Sequence, residues 1–166
     1  TSGTSSGVSK AVLQSYEQLF HTEIAINERM GVSVPVKEIV ASPFDNVYWF
    51  GRIRCILAVG GSIIFVSNPI NPLHIIKLLK FNNVDGFSCD TPLLKMLLDY
   101  DDKSNADIFR HLNYVKTASA PLDKTYFNYC LEKYPHINLY YNFGLTEAMR
   151  TSILILPKEI DKLGSS

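Results

Sequence analysis

Short apolar segments of strand character alternate along the chain with longer segments of helical periodicity. This alternation favours an α/β domain, because a pair of parallel strands needs a crossover between them and a helix usually supplies it. We therefore predict a largely parallel sheet flanked by helices. The predicted strands are residues 36–41, 62–66, 84–89, 114–118, 137–142 and 151–156. The predicted helices are residues 47–59, 72–81, 91–100 and 121–134, after a first helix that starts between residues 9 and 15 and ends at residue 30.

Glycine, asparagine and proline mark the ends of several predicted helices. Gly31 is placed to end the first helix, because glycine adopts the left-handed conformation of a helix C-cap without strain. Asn71 followed by Pro72 is typical of an N-cap and the first helical residue, where the missing N–H of proline costs nothing. The polar stretch 101–107 is predicted to be a loop or a short helical turn.

The charges of the chain balance, with 16 Lys and Arg residues against 16 Asp and Glu residues. Nucleic-acid-binding domains are usually basic, so no nucleic-acid partner is expected. The longest nearly apolar run, residues 55–66, contains two adjacent glycines and is too short to cross a bilayer. No membrane span is therefore expected.

The cysteines and histidines match neither a disulfide framework nor a metal site. The three cysteines are odd in number, widely spaced and flanked by apolar residues, so we predict reduced core thiols and a cytoplasmic protein. The histidines are isolated in the sequence and show no metal-ligand spacing. These residues are Cys55, Cys89 and Cys130, and His21, His74, His111 and His136.

The first seven residues contain five hydroxyl side chains and two glycines, and Lys10 follows closely. Glycines let several amide donors point into one concavity, hydroxyls add donors and lysine adds a positive charge, which together suit a polyphosphate. The cluster is not a Walker A loop, because Gly7 is followed by Val8 instead of lysine. A flexible Gly/Ser linker is the alternative. The candidate residues are Thr1, Ser2, Gly3, Thr4, Ser5, Ser6 and Gly7.

A second candidate segment, residues 140–148, begins in a predicted strand and continues into Phe143, Gly144, Thr146 and Glu147. Ligands of open α/β sheets lie outside the carboxyl ends of the strands, where this segment would place a hydroxyl and a carboxylate. The carboxylate suits a Mg²⁺ ion beside bound phosphates, and the Phe143 ring could stack on a base. A strand end followed by a capped helix would give the same pattern, and that alternative stays open.

Taken together, the two segments resemble the phosphate loop and the aromatic-Gly-x-Thr-Glu signature of the adenylate-forming superfamily. A third segment, Thr117–Leu122, resembles the small-residue turn ending in Pro-Leu that borders the adenine pocket in that superfamily. The resemblance implies that the chain is an incomplete part of the large N-terminal domain of such an enzyme. The implied reaction is attack of a carboxylate on MgATP to give an acyl-adenylate and pyrophosphate, followed by transfer to coenzyme A or a carrier-protein thiol.

The resemblance also implies a role for each matching residue. The loop from Thr1 to Gly7 would close over the β- and γ-phosphates, with Lys10 as its basic residue. Thr146 would contact the α-phosphate and Glu147 would hold Mg²⁺. The adenine would lie against two short groups of residues, of which Phe143 would pack on the base. These groups are Ser119, Ala120 and Pro121, and Asn142, Phe143 and Gly144.

The sequence departs from the superfamily pattern at three places. Lys10 lies three residues after Gly7 and follows serine, where the usual loop has lysine two residues after its last glycine and preceded by proline. Asp45 and Asn46 stand in a segment that often carries histidine, so no catalytic role is transferred there. Phe143 stands where tyrosine is usual and lacks the hydroxyl contact.

In such an enzyme, a Thr-Gly-Asp motif and a small domain with a catalytic lysine would follow these segments, and further strands would precede the phosphate loop. These 166 residues contain no counterpart of any of them. We therefore expect the chain alone to be nearly inactive as a ligase. Two alternatives remain: a degenerate nucleotide-binding or interaction module without chemistry, and a flavodoxin-like domain with a Gly/Ser tag and no affinity for ATP.

The resemblance implies that the acid substrate lies beside the adenine, near the aromatic helix 47–59. Tyr48, Trp49, Phe50 and Arg52 are therefore candidates to line its pocket, with Arg52 as a possible partner for a carboxylate or head group. The alternative is that this helix simply presents a core stripe of Trp49, Ile53, Ile56 and Leu57. Cys89, near the end of its predicted strand, could line the same pocket.

Overall fold

A computed structural model describes residues 11–42, 47–66, 71–145 and 152–162. One six-stranded sheet has the strand order β2-β1-β3-β4-β5-β6. The first five strands are parallel, and β6 runs antiparallel to β5 at one edge. The strands are β1 Lys37–Ala41, β2 Ser62–Val66, β3 Gly86–Asp90, β4 Tyr114–Ala118, β5 Asn138–Phe143 and β6 Ser152–Leu156. The predicted α/β class with a largely parallel sheet is confirmed.

Within the described residues, five helices flank the sheet, and a short 3-10 turn, Ile160–Lys162, follows β6. The helices are α1 Tyr16–Met30, α2 Val47–Ala58, α3 Pro72–Phe81, α4 Thr91–Ser104 and α5 Lys124–Lys133. Two of the predicted limits differ by several residues. Helix α4 continues into the stretch 101–107, which was expected to be a loop or a short helical turn, and α5 starts three residues after Pro121.

Local capping explains where α1 starts and ends. The Ser15 side chain accepts a hydrogen bond from the Gln18 N–H, and the Gln18 side chain accepts one from the Ser15 N–H, which forms a capping box. Gly31 ends the helix in the left-handed conformation with φ of 67°, as its position in the sequence predicts. Asn71 caps α3 through the Leu73 N–H in the same predicted way.

The two faces of the sheet differ in character. The face covered by α3, α4 and α5, here called the apolar face, holds a large core that includes Ile39, Phe87 and Val115. The opposite face, here called the polar face, is covered by α1 and α2. Its strand residues include Glu38, Ser88, Lys116 and Asn142, all buried. Successive residues of a strand point to opposite faces, so each strand contributes alternate residues to the apolar face and to the polar face.

A glycine in β3 permits close packing on the polar face. Gly86 pairs in register with Tyr114, and a Cβ atom built on Gly86 would lie 2.1 Å from the Tyr114 ring. No side chain fits at that distance, so the ring of Tyr114 occupies the space that glycine leaves. This packing places the Tyr114 hydroxyl beside Glu38.

Candidate functional site

The fold brings two of the predicted segments to the same edge of the sheet. Strands β4 and β5 are adjacent and parallel, with Thr117 opposite Tyr141 in the register. Both strands therefore end at the carboxyl edge, with the segment 118–121 beside the segment 142–144. In open α/β sheets this edge is where ligands bind.

Hydrogen bonds hold the segment 118–121, here called the edge turn, in a defined shape. The Thr91 hydroxyl oxygen lies 2.9 Å from the Ala118 carbonyl oxygen and 2.8 Å from that of Ala120, so its hydrogen can be shared between them. The Tyr141 hydroxyl donates to the Ala120 carbonyl at 3.3 Å. Ser119 lies between the two carbonyls with φ of 86°, a left-handed conformation that is costly for a serine.

The edge turn and the end of β5 present a partly open surface. Ser119 and Pro121 are exposed and Ala120 is half-buried. Phe143 is 58% exposed although it is a large aromatic residue. A single exposed aromatic ring is ordinary, and this one stands at the end of β5 beside the edge turn.

Several predicted site residues lie outside the described residues. They include the whole phosphate-loop candidate and the two residues expected at the α-phosphate and at the metal ion. These residues are Thr1, Ser2, Gly3, Thr4, Ser5, Ser6, Gly7, Lys10, Thr146 and Glu147.

The structure overturns the prediction that Arg52 is a substrate partner. Arg52 is fully buried and its guanidinium forks onto the Glu38 carboxylate, with Nε donating to Oε1 at 3.0 Å. A second guanidinium nitrogen donates to the Tyr114 hydroxyl at 3.0 Å. Ser88 and Tyr114 also donate to Glu38. The guanidinium is thus engaged inside the domain and serves the structure of the polar face.

This cluster of Glu38, Arg52, Ser88 and Tyr114 forms a charge pair sealed from water. Burial by itself would raise the pKa of Glu38, but the charge of Arg52 and the donated hydrogen bonds outweigh it and lower that pKa. Burial, followed by the neighbouring Glu38 charge, raises the pKa of the Tyr114 hydroxyl. Glu38 is therefore ionised and Tyr114 is a neutral donor at physiological pH.

Helix α2 contributes Trp49 and Ile56 to the core, as the alternative interpretation held, while Phe50 lines a cavity between α1 and α2. Trp49 is 1% exposed and packs with Val40 and Ile56. Leu57 departs from that interpretation, because it is 58% exposed. Tyr48 is half-buried, and its hydroxyl accepts a hydrogen bond from Lys116 Nζ at 2.9 Å.

Sequence reasoning missed Lys116, which is fully buried in the middle of β4. Its ammonium lies 4.4 Å from the centre of the Tyr48 ring, at the distance of a cation–π contact. A lysine inside an otherwise apolar strand segment, between Val115 and Thr117, is the signal that could have found it. Buried lysines are rare, so such a residue has a specific environment.

The three cysteines are free and buried, which confirms the prediction of core thiols. Burial raises the pKa of Cys130 to about 12 and also raises that of Cys89, so both stay protonated. Within the described ranges, no group of His, Cys, Asp and Glu side chains could hold a metal ion. None of the helices in the described part of the chain has the length and apolar character needed to cross a membrane.

Comparisons with known proteins agree on one fold. No family model matches the sequence. The sequence is 24% identical over 151 residues to 4-coumarate–CoA ligase-like 6 of Arabidopsis thaliana, and the match covers 89% of this chain and 26% of the relative. Among solved structures, O-succinylbenzoate coenzyme A synthetase from Bacillus subtilis, in complex with ATP and magnesium ion, superposes with a TM-score of 0.81. The chain has the fold of the adenylate-forming superfamily.

The match to that synthetase has 17% identity and covers 99% of this chain and 33% of the synthetase. The amide bond synthetase McbA from Marinactinospora thermotolerans is also similar, with 18% identity and a TM-score of 0.65 over 81% of this chain and 27% of that one. The chain therefore spans about a quarter to a third of the length of these relatives, and the likeness establishes the superfamily fold.

Proposed function

We propose that the chain is part of an ATP-dependent carboxylic acid:thiol ligase. A substrate carboxylate oxygen attacks the α-phosphorus of ATP, the bond from that phosphorus to the bridging oxygen breaks, and pyrophosphate leaves. The acyl-adenylate then passes its acyl group to the thiol of coenzyme A or of a carrier protein, with release of AMP. The observation that carries the proposal is the edge turn lying beside Phe143, within a fold shared with a synthetase solved with ATP and magnesium ion.

The described residues fit an adenosine group at this edge. The Phe143 ring is exposed and offers a flat surface for the base. The edge turn is fixed by Thr91 and Tyr141, so it can border the base without rearranging. Glu147 is proposed as the ligand of Mg²⁺ because a carboxylate is a hard oxygen donor, and Thr146, Lys10 and the loop from Thr1 to Gly7 as the phosphate contacts.

Binding of an acyl-adenylate mimic tests the proposal without requiring turnover by this chain. Hexanoyl-sulfamoyl-adenosine imitates the acyl-adenylate, and adenosine sulfamate lacks the acyl group. Calorimetric titration should show that the acyl compound binds about a hundredfold more tightly, because intermediate mimics exploit contacts to both substrates. Equal affinity for the two compounds would indicate a nucleotide-binding module without acyl chemistry, and no affinity for either would contradict an adenosine site.

The contribution of Phe143 to adenosine binding can be separated from general effects. Phe143→Ala should weaken binding of adenosine sulfamate at least about fivefold, and Phe143→Tyr should retain it, because the flat ring supplies the stacking surface. Phe81→Ala is the matched control, since Phe81 is also an exposed aromatic residue but ends helix α3. We also expect pyrophosphate exchange by the 166-residue chain to stay near background.

A further inference from the structure

Two buried polar side chains near the carboxyl edge have no hydrogen-bond partner within the described part of the chain. Asn142, next to Phe143, is 2% exposed, and neither its side-chain oxygen nor its nitrogen is paired. Ser42, directly after β1, is 1% exposed, and its hydroxyl is unpaired. A buried amide without partners is destabilising, so such a group in a native protein requires an explanation.

Both side chains belong to the polar face. Tyr140, two residues before Asn142 on β5, pairs in register with Lys116, and its hydroxyl donates to the Met30 carbonyl of α1 at 2.7 Å. Asn142 therefore lies on the same face, about 7 Å nearer the carboxyl edge than Tyr140. Its partner in the register on β6, Ile153, packs against the polar-face cluster that contains Ile26 and Met30 of α1. Ser42 lies two residues after the polar-face residue Val40, just as Asn142 lies two residues after Tyr140. In the sheet, β1 and β5 are three strand positions apart.

Among the described residues, the apolar face has no buried and unpaired polar side chain near this edge. Ala41 and Cys89 are fully buried there in the large core. Tyr141 packs against that core, with its ring 6.0 Å from the ring of Phe127. A ligand that reaches from the edge along the sheet therefore meets hydrogen-bonding groups on the polar face and a filled core on the apolar face.

We propose that Asn142 binds a neutral hydrogen-bonding group on the tail of the acid substrate, so the substrate is a carboxylic acid with a hydroxyl or carbonyl oxygen in its tail. This inference rests on the proposed ligase function, because only a carboxylate held at the edge would direct a tail along the polar face. The amide supplies two donors and one acceptor to that group. Lys116, held against Tyr48 one row further from the edge, makes this end of the polar face more polar.

Chemical logic favours an oxygen-bearing tail over a plain alkyl tail. An alkyl group laid on Asn142 would leave the amide buried and unpaired, whereas a hydroxyl would satisfy it. Sites that hydrogen-bond a substrate hydroxyl discriminate against analogues that lack it far more strongly than apolar pockets discriminate by size. The polar face is thus expected to select substrates by the oxygen in the tail.

The test uses pairs of acyl-sulfamoyl-adenosines that differ by one hydroxyl. One pair is hexanoyl and ω-hydroxyhexanoyl, and the other is phenylpropanoyl and para-hydroxyphenylpropanoyl, so two lengths and shapes of tail are sampled. In at least one pair the hydroxylated compound should bind the native chain about tenfold or more tightly than its partner. Asn142→Leu, which keeps the side-chain shape, should remove that preference, and Ser42→Ala should leave the larger part of it.

Asn138→Leu is the matched control, because Asn138 is an exposed asparagine at the other end of β5 and should leave the preference unchanged. If both acyl compounds of each pair bind more tightly than adenosine sulfamate but equally, the substrate inference is overturned while the ligase proposal stands. If neither binds more tightly than adenosine sulfamate, both are overturned. If a folded Asn142→Leu variant still prefers the hydroxylated compound, the role of Asn142 is overturned. If that variant does not fold, the affinities of the native chain for the two compounds of each pair test the substrate inference.

Discussion

Replacing Arg52 with methionine should destabilise the domain strongly, because the guanidinium forks onto a carboxylate that is sealed from water. Methionine keeps much of the side-chain volume, so the change removes mainly the charge and its hydrogen bonds. Breaking a buried ion pair by removing one partner typically costs about 3–5 kcal/mol. Glu38 keeps hydrogen bonds from Ser88 and Tyr114, so we expect the lower end, about 3 kcal/mol. A domain of this size has about 5–15 kcal/mol in total, so the loss is large.

The loss should also depend on pH. In the native chain the pKa of Glu38 is below its unfolded value, so the contribution of the pair is present above the unfolded pKa and is lost as the pH falls through the folded pKa. In Arg52→Met, burial without the guanidinium should raise the folded-state pKa of Glu38 above its unfolded value. The folded variant then holds a proton that the unfolded chain releases, and its stability falls as the pH rises, by up to about 1.4 kcal/mol per pH unit.

Urea denaturation at about pH 5 and about pH 8 measures both effects. Trp49 is the only tryptophan and is buried in α2, so its fluorescence reports unfolding of the region that holds Arg52. Adding Glu38→Gln to Arg52→Met should remove the pH dependence, because no carboxylate then remains to titrate. Arg54→Met on the same helix is the control, since its partner Glu23 lies nearer the surface, and should cost less. An equal loss at both pH values would refute the reasoning about Glu38.

Three further changes test other parts of the structure. Gly86→Ala should destabilise by about 1–3 kcal/mol in urea titration, because its methyl group would collide with the Tyr114 ring, and a neutral effect would contradict that packing. Thr91→Val should weaken binding of adenosine sulfamate while Thr91→Ser retains it, since the hydroxyl fixes the edge turn. Burial would raise the pKa of Asp101, but hydrogen bonds from Tyr134 and other donors outweigh it and lower that pKa. The contribution of Asp101 to stability should therefore be lost as the pH falls through the lowered pKa. In Tyr134→Phe, acid titration should show a smaller loss of stability.

The fold was largely predictable because short segments of strand character alternate with longer segments of helical periodicity. Strands β2 and β4 have the predicted bounds, residue for residue, and Gly31 ends α1 as predicted. The end of α4 was not predictable from periodicity. Asp101 has the sequence pattern of a polar loop residue. In the structure it is buried within α4, and its carboxylate accepts hydrogen bonds from the hydroxyls of Tyr129 and Tyr134.

The candidate site was predictable only where local pattern determines it. The edge turn and the end of β5 could be placed together because parallel strands end at the same edge. The role of Arg52 could not be predicted, because its partner Glu38 lies on a different element and periodicity gives no contact between elements. An arginine on an aromatic helix has the same local pattern whether it faces a ligand or a buried carboxylate.

The polar face therefore holds two kinds of buried polar group, and the difference between them can be tested. Far from the edge, the groups around Glu38 satisfy one another and support stability. At the edge, Asn142 is buried and unpaired among the described residues, which indicates a group kept for binding at a cost to stability.

Asn142→Leu should therefore raise the free energy of unfolding by about 1–3 kcal/mol, because an apolar side chain of the same shape removes an unsatisfied amide. The comparison is urea denaturation of the native chain, Asn142→Leu and Asn138→Leu, since Asn138 is exposed on the same strand and its replacement should change stability little. If Asn142→Leu is more stable than the native chain and no longer prefers the hydroxylated acyl-sulfamoyl-adenosine, then the native Asn142 favours substrate binding at a cost to stability. A destabilised variant would instead indicate that Asn142 is paired within the fold, and it would contradict the assignment of its amide to a substrate.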